Sequence, residues 1–274
     1  MATMKVYRNG LSVGNGGVGL HERQPRGRIC GWTPATARRQ TRWLWTVDAE
    51  ALTGHGYAVT LTLRDCPPDS ETFHTLRTSW LKRLERMGAI RTHWVIEWQR
   101  RGIPHLHAAV YFPAALTPVE RARLLQHWIE LAADYGTTTW GQQVAPITGA
   151  MGWLKYLAKH AARGANHYQR TGHPEGWATT GRLWGHTGLW EVVEPIVLDQ
   201  LNPREFWRLR RLMRAWAIAD ARKAGDWSRL AYLRRAGRPA DRTVSSYLGV
   251  SEWIPEAVSL RLVELFQTED DPRQ

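Results

Sequence analysis

Two histidines separated by one residue are the first side chains in this sequence whose spacing suggests chemistry. His105 and His107 follow a turn that contains Gly102, and the run before that turn carries Glu97 and Gln99. Both runs are typical of β-strands in one hairpin, and side chains on a strand alternate between its two faces. The turn position predicts that Gln99 lies opposite His105. It also places Glu97 opposite His107, so imidazole and carboxylate groups converge on a patch suited to a divalent cation.

The third ligand of such a site is open between two residues of the same parity. We favour Glu97, because carboxylates bind Mg and Mn better than neutral amides do. Gln99 is the alternative ligand, or a group that hydrogen-bonds His105 or a phosphate from outside the ligand shell. The sequence therefore predicts a metal site with His105, His107 and Glu97 as its ligands.

A second candidate for chemistry lies on a helix predicted over residues 148–164, with a threonine as N-cap and a glycine at its end. At helical spacing one face of this helix carries Gly152, Tyr156, Lys159 and Arg163. That face offers a phenol between two cations, beside a position with no side chain. A sugar-phosphate backbone could approach the phenol there.

These motifs, in this order, resemble a known family. A hydrophobic strand ending in Thr60-Leu61-Thr62, then His105-Leu106-His107, then Tyr156 with Lys159 three residues on, is similar to the three motifs of HUH endonucleases. The match is closest to rolling-circle replication initiators (Rep proteins) of plasmids and phages. Residues 31–33 and 181–185 also resemble plasmid Rep proteins, so the similarity covers about residues 31–197.

The resemblance implies a sequence-specific DNA-nicking and joining enzyme with Tyr156 as nucleophile and a 5′-phosphotyrosine intermediate. It implies Mg or Mn as cofactor, single-stranded or hairpin DNA at a replication origin as substrate, and Lys159 as the source of positive charge near the phenol. Glycine at position 152 departs from two-tyrosine members of the superfamily and favours a single-tyrosine enzyme. Basic side chains expected to contact DNA are Lys155, Arg163, Arg100 and Arg101.

Two other functions compete with this one. The first is a tyrosine transposase of the same superfamily, which would use the same chemistry to move a mobile element. The second is a non-catalytic DNA-binding regulator. The sequence has no Gly-x-x-x-x-Gly-Lys-Ser/Thr run, so we expect no fused helicase and a host helicase as partner.

Composition agrees with a nucleic-acid partner. Lysine and arginine number 37 against 25 acidic residues, for a formal net charge of +12, the electrostatic pattern expected for a ligand that carries phosphates. Sixteen tryptophans exceed what a core of this size needs, and indole faces can stack on unpaired bases. Two cysteines and no apolar run of membrane length predict a cytoplasmic protein that does not bind membranes, which we expect to be a monomer.

The order of predicted elements indicates an α+β fold, an antiparallel central sheet flanked by helices in a ferredoxin-like or RRM-like HUH nuclease core. We expect a basic, Gly-rich and disordered tail over residues 1–30, the endonuclease domain over 31–198, and a helical basic region over 199–274. Residues 201–238 contain eleven lysines or arginines against three acids. They are either a DNA-binding extension or a solvated arginine-rich helix.

Overall fold

The strands of the protein form two separate antiparallel sheets in the computed structural model, which describes residues 2–15, 27–148, 167–236 and 249–268. The chain divides into a central unit, residues 24–192, and a terminal unit made of residues 1–23 and 193–274. In chain order the described elements are β1 (Ala2–Tyr7), β2 (Gly10–Asn15), α1 (Pro34–Thr46), β3 (His55–Leu61), α2 (Ser70–Arg86), β4 (Arg91–Trp98), β5 (Pro104–Phe112), α3 (Pro118–Leu131), β6 (Gln143–Pro146), β7 (Trp184–Gly188), β8 (Ile196–Leu201), α4 (Pro203–Lys223), α5 (Trp227–Ala236), β9 (Gly249–Glu252) and α6 (Glu256–Thr268).

The central unit is built on a five-stranded sheet in the order β6-β3-β5-β4-β7. Its helices begin where the sequence supplies a cap. The side chain of Asp69 accepts a hydrogen bond from the backbone N–H of Thr72 at 2.7 Å, which starts α2. Thr117 and Glu120 form a reciprocal capping box at the start of α3. This sheet with flanking helices confirms the predicted α+β class.

One face of this sheet is an apolar layer. Leu106, Ala108 and Val110 of β5 are fully buried in one core cluster with Phe73 and Trp80 of α2. The indole N–H of Trp80 donates to the backbone oxygen of Leu124 in α3 at 3.3 Å. Because alternate residues of β5 face the other way, this core fixes the strand while the opposite face is free to carry polar groups.

The opposite face is covered in part by aromatic stacking. His93 of β4 and His186 of β7 are cross-strand partners, and the ring of Trp43 from α1 stacks on both, at centroid distances of 4.9 and 4.2 Å. Burial, with a contribution from Arg182, lowers the pKa of His186. His93 has the same parity on β4 as Glu97, so α1 packs on the face that carries the predicted metal ligands.

The terminal unit corrects the prediction of a disordered N-terminal tail. β1 and β2 form a hairpin within a sheet of order β8-β1-β2-β9. Met4, Val6, Leu11 and Val13 are at most 3% exposed and pack with Phe206 of α4 in a second core. The glycine content of residues 1–30 obscured a short alternation of apolar and polar residues, which is the pattern of a strand with one buried face. Among the described residues, no helix combines the length and the apolar character needed to cross a membrane.

Candidate metal centre

The β4–β5 hairpin places the predicted ligands on one face, with a register that differs from the prediction. Glu97 pairs with His105, not with His107. The backbone N–H of Gln99 donates to Ile103 and that of Gly102 to Gln99, each at 2.9 Å. The connection is therefore a three-residue loop in which Gly102 has φ +79°, a left-handed conformation that glycine adopts without strain. A shift of two residues keeps the parity, so the face of each side chain is as predicted.

Glu97, His105 and His107 form a buried cluster of potential metal ligands. One ligand atom from each lies within 4.8 Å of the other two. Nε2 of His107 is 3.9 Å from Oε2 of Glu97, whose side chain has no exposed surface. The two imidazole rings are 4.4 Å apart between centroids, at an interplanar angle of 71°. Two imidazoles and a carboxylate therefore surround one point at the end of the sheet near the hairpin loop.

Two neighbouring side chains contact the histidines. Thr60 of β3 pairs with His107 across the strands, and its hydroxyl lies 3.1 Å from Nδ1 of that ring. This contact fixes the ring orientation and directs Nε2 toward Glu97. Gln169 lies on the other side of the cluster, where its amide nitrogen is 3.5 Å from Nε2 of His105.

The surroundings of Gln169 fit a cation. The residue is 9% exposed, and within the described part of the chain its Oε1 atom has no hydrogen-bond partner. A buried amide oxygen without a partner costs free energy, and a cation in the adjacent cluster would satisfy it. Imidazole, carboxylate and amide oxygen together suit a divalent ion such as Mn or Mg. The cluster is compatible with a divalent metal.

A buried arginine completes this centre. Nε of Arg170 donates to Oε1 of Glu97 at 2.9 Å, and neither side chain has exposed surface. The guanidinium carbon lies 3.9 Å from the ring centre of Trp32, and the indole of Trp32 donates to the backbone oxygen of Ile96 at 3.0 Å. Arg170 thus holds one carboxylate oxygen of Glu97 and leaves the other directed at His107.

The segment that carries Gln169 and Arg170 is attached to the end of β4. The backbone N–H of Trp98 donates to the oxygen of Gln169 at 2.8 Å, and its indole N–H donates to Gly172 at 3.1 Å. Sequence reasoning missed both residues, because this segment has the polar, Gly-bounded composition of an ordinary loop. The one signal available was indirect, since a buried carboxylate needs a cationic or hydrogen-bonding partner.

We expect Arg170→Met to change the response of the protein to metal. Removing the guanidinium leaves Glu97 as a buried charge without this partner, which typically lowers the free energy of unfolding by about 3–5 kcal/mol. A bound cation would then replace the missing positive charge. The thermal midpoint of Arg170→Met should therefore rise more on addition of MnCl2 than that of the unchanged protein.

Arg91→Met is the matched control for this prediction. Arg91 is also buried, at 4% exposure, but its guanidinium donates to backbone oxygens of Thr53 and Leu189 and not to Glu97. Its variant should be destabilised with the Mn-induced shift of the unchanged protein. Equal Mn-induced shifts in the Arg170 and Arg91 variants would contradict the role assigned to Arg170.

Three residues of the hairpin loop have contacts within the protein. Oε1 of Gln99, the alternative ligand, accepts a hydrogen bond from Nε of Arg101 at 2.7 Å. Arg101 also donates to the backbone oxygen of Leu63. The guanidinium of Arg100 lies 5.5 Å from the ring centre of Tyr168, and both side chains are exposed. Of the predicted DNA-contacting residues, Arg100 and Arg101 thus lie in the loop next to the candidate metal centre.

The remaining predicted site residues are Tyr156, Lys159, Lys155 and Arg163. All four lie outside the described residues, since the structure gives no description of residues 149–166. Their roles remain predictions from the sequence.

Comparisons with known proteins agree on one group. A family model for phage-type and plasmid-type replication-associated proteins, the ORF2 family, matches residues 56–163. A protein of Xylella fastidiosa strain 9a5c, named as a replication protein, is 42% identical over 95% of this chain and 94% of its own length. A replication-associated protein of Pseudomonas phage Pf3 is 38% identical over 98% of both chains. No solved structure is significantly similar to this chain.

Proposed function

Because the chain belongs to the ORF2 family of replication-associated proteins, we propose that it initiates rolling-circle replication by nicking and rejoining one DNA strand. The observation that carries the proposal is the buried cluster of Glu97, His105 and His107 on two adjacent strands. The region matched by the family model contains this cluster and Tyr156. Metal ligands and a tyrosine nucleophile are the parts that phosphotyrosine-forming nicking requires.

The cluster would bind the cation that the reaction uses. A divalent ion bound there would polarise the scissile phosphate and offset the negative charge of the transition state. Glu97, His105 and His107 would hold it, and Thr60 would keep the ring of His107 in the ligating orientation. Arg170 offsets the negative charge of Glu97, so the ligand set contributes little net charge and the ion keeps most of its own for the phosphate.

Tyr156 would be the nucleophile. Its phenol oxygen forms a bond to phosphorus while the bond between phosphorus and the 3′ oxygen breaks. The proton leaves the phenol, and the departing 3′ oxygen gains a proton to become a hydroxyl that a polymerase can extend. The 5′ end stays linked to the tyrosine, and this bond conserves the energy for rejoining, so no ATP is consumed.

Positive charge near Tyr156 would support this step. A phenol has a pKa of about 10, so it is a weak nucleophile at neutral pH unless a cation stabilises its ionised form. Lys159, three residues further on a predicted helix, would supply that charge, with Lys155 adjacent in sequence. Single-stranded or hairpin DNA at an origin would be the substrate, with strand separation left to a host helicase.

A covalent adduct tests the proposal directly. The protein is incubated with MnCl2 and labelled single-stranded DNA from the replicon that encodes it, and the adduct is digested and analysed by mass spectrometry. The nucleotide should be found on Tyr156. Recovery on Tyr168, which is exposed beside Arg100, or on a serine would contradict the assignment, and absence of any adduct would contradict the proposed reaction.

The third metal ligand gives a separate prediction. Glu97→Ala should raise the Mn concentration needed for half-maximal nicking by about 10-fold or more. Gln99→Ala should change it less, because the side chain of Gln99 hydrogen-bonds Arg101 in the loop. Titration of Mn against the initial nicking rate compares the two variants. An unchanged half-saturation in Glu97→Ala, with a shift in Gln99→Ala, would assign the ligand to Gln99 instead.

A further inference from the structure

A basic surface lies on the helices α4 and α5 of the terminal unit. Within residues 203–236 the ratio of charges is ten basic side chains to three acidic ones, Glu205, Asp220 and Asp226. Most of the basic side chains are exposed. The ten are Arg204, Arg208, Arg210, Arg211, Arg214, Arg222, Lys223, Arg229, Arg234 and Arg235.

Two of the three acids are engaged by the helix ends. Oε2 of Glu205 accepts a hydrogen bond from the backbone N–H of Asn202 at 2.9 Å, and Oδ1 of Asp226 accepts one from the backbone N–H of Arg229 at the same distance. Both carboxylates thereby compensate the partial positive charge at a helix N-terminus. They offset little of the charge on the arginine side chains, so the surface favours an anionic partner.

Exposed aromatic rings accompany these arginines. Trp227 is 71% exposed and Tyr232 is 56% exposed, both on α5, and Trp207 and Trp216 on α4 are 38% and 40% exposed. The core of this unit is filled by other residues of α4, including Phe206. An exposed indole adds little to folding stability, but its face can stack on an unpaired base.

The two helices present their basic residues together. Arg214 donates from Nε to the backbone oxygen of Leu233 and from Nη2 to that of Arg234, each at 3.3 Å. The end of α5 with Arg234 and Arg235 therefore lies beside Arg214 of α4. A helical spacing of three, seven and ten residues puts four exposed side chains along one side of α4: Arg204, Trp207, Arg211 and Arg214.

We propose that α4 and α5 form a second binding surface, specific for single-stranded DNA, in which arginines contact phosphates and the exposed rings stack on bases. Stacking distinguishes this ligand from duplex DNA, whose base faces are covered by their neighbours. The proposal rests on the proposed function in one respect, since nicking and strand displacement produce the single strand that this surface would hold.

Fluorescence anisotropy of the full chain tests the surface. A labelled oligothymidylate of roughly 30 nucleotides and a duplex of equal length are titrated without divalent metal, so that no cleavage occurs. The double variant Trp227→Ala/Tyr232→Ala should bind the single strand at least about 10-fold more weakly. The variant Trp227→Phe/Tyr232→Phe should keep most of the affinity, because a ring remains at both positions.

The charge contribution has its own matched pair. Arg211→Gln should weaken binding and reduce its salt dependence. Arg261→Gln on α6 removes the same charge from a side chain that is 71% exposed but paired with Glu264, and it should bind as the unchanged protein does. All of these residues are exposed, so thermal midpoints should stay unchanged; a lowered midpoint in the aromatic variants would assign the rings a structural role and overturn the proposal.

Other outcomes separate this proposal from the proposed function. Nicking of a short oligonucleotide that spans only the cleavage site should be equal in all of these variants. Unchanged single-strand affinity in Trp227→Ala/Tyr232→Ala would overturn the second surface while nicking persists. Tighter binding of the duplex than of the single strand would also overturn it. Absence of nicking in every protein, with the affinity loss still present, would refute the nicking function and leave the surface supported.

Discussion

Tyr156→Phe should abolish both nicking and the covalent protein–DNA adduct, with residual activity below about one part in ten thousand, while binding to the same DNA stays within a few-fold. Phenylalanine keeps the ring but removes the only atom that can bond to phosphorus. A loss of that size is expected when a nucleophile acts together with its activating groups as one unit. A gel that resolves free from protein-linked DNA measures both products.

Tyr168→Phe is the control for this substitution. Tyr168 is 53% exposed and lies beside Arg100 at the candidate site, so its replacement reports any effect of losing a phenol near the DNA. It should keep nicking and the adduct. If Tyr156→Phe still nicks and Tyr168→Phe does not, the nucleophile is Tyr168. If both variants and the unchanged protein bind DNA without cleaving it, the protein is a DNA-binding regulator.

His105→Ala and His107→Ala should each eliminate detectable nicking and leave DNA affinity within a few-fold. Each ring supplies one of the ligand atoms within 4.8 Å of one another, and the metal acts on a single phosphate. Affinity arises from many phosphate contacts and from stacking, which these substitutions leave in place. Binding is followed by anisotropy, and nicking is followed by the appearance of cleaved strand.

His55→Ala serves as the matched control for the histidine variants. His55 is an exposed residue at the start of β3, where it pairs with Phe112 at the far end of β5 from the cluster. Its variant should nick normally. A large loss of DNA binding in His107→Ala, in a protein that still folds, would show that the histidines contact DNA directly and do not act through a metal.

The ligand set of the site was accessible from the sequence because strand parity is a strong constraint. Alternation requires His105 and His107 to share a face, and any antiparallel pairing with an even offset brings Glu97 to that face. The exact register was not accessible. It depends on whether Gly102 occupies the middle or the end of the loop, and both choices satisfy its composition.

Arg170 could not be predicted for a different reason. It lies in a loop 73 residues beyond Glu97, with no periodic pattern to give its direction. Its partner is determined by three-dimensional packing against Trp32, which comes from the segment before α1. Contacts between distant irregular segments have no local sequence signal, whereas helix caps such as Asp69 and Thr117 were evident from neighbouring residues alone.

The second sheet was missed because its strands are far apart in the chain. β1 pairs with β8 and β2 pairs with β9, and only the β1–β2 hairpin is local. An isolated short hairpin is marginal in water, so the composition of residues 1–30 reasonably suggested a tail. The strands are stable because residues after position 193 complete the sheet and supply the helix that covers Met4 and Val6.

This interrupted sheet determines the order in which the protein can fold during translation. The five strands of the central unit all lie between residues 24 and 192, so that sheet can form while the ribosome is still adding the rest of the chain. β1 and β2 emerge first but must wait for β8 and β9, a delay of roughly 10–40 seconds at bacterial elongation rates. During that interval the apolar side of a nascent hairpin is exposed to neighbouring chains. A nascent chain can therefore complete the sheet that carries Glu97, His105 and His107 before the sheet containing its own first strands can close.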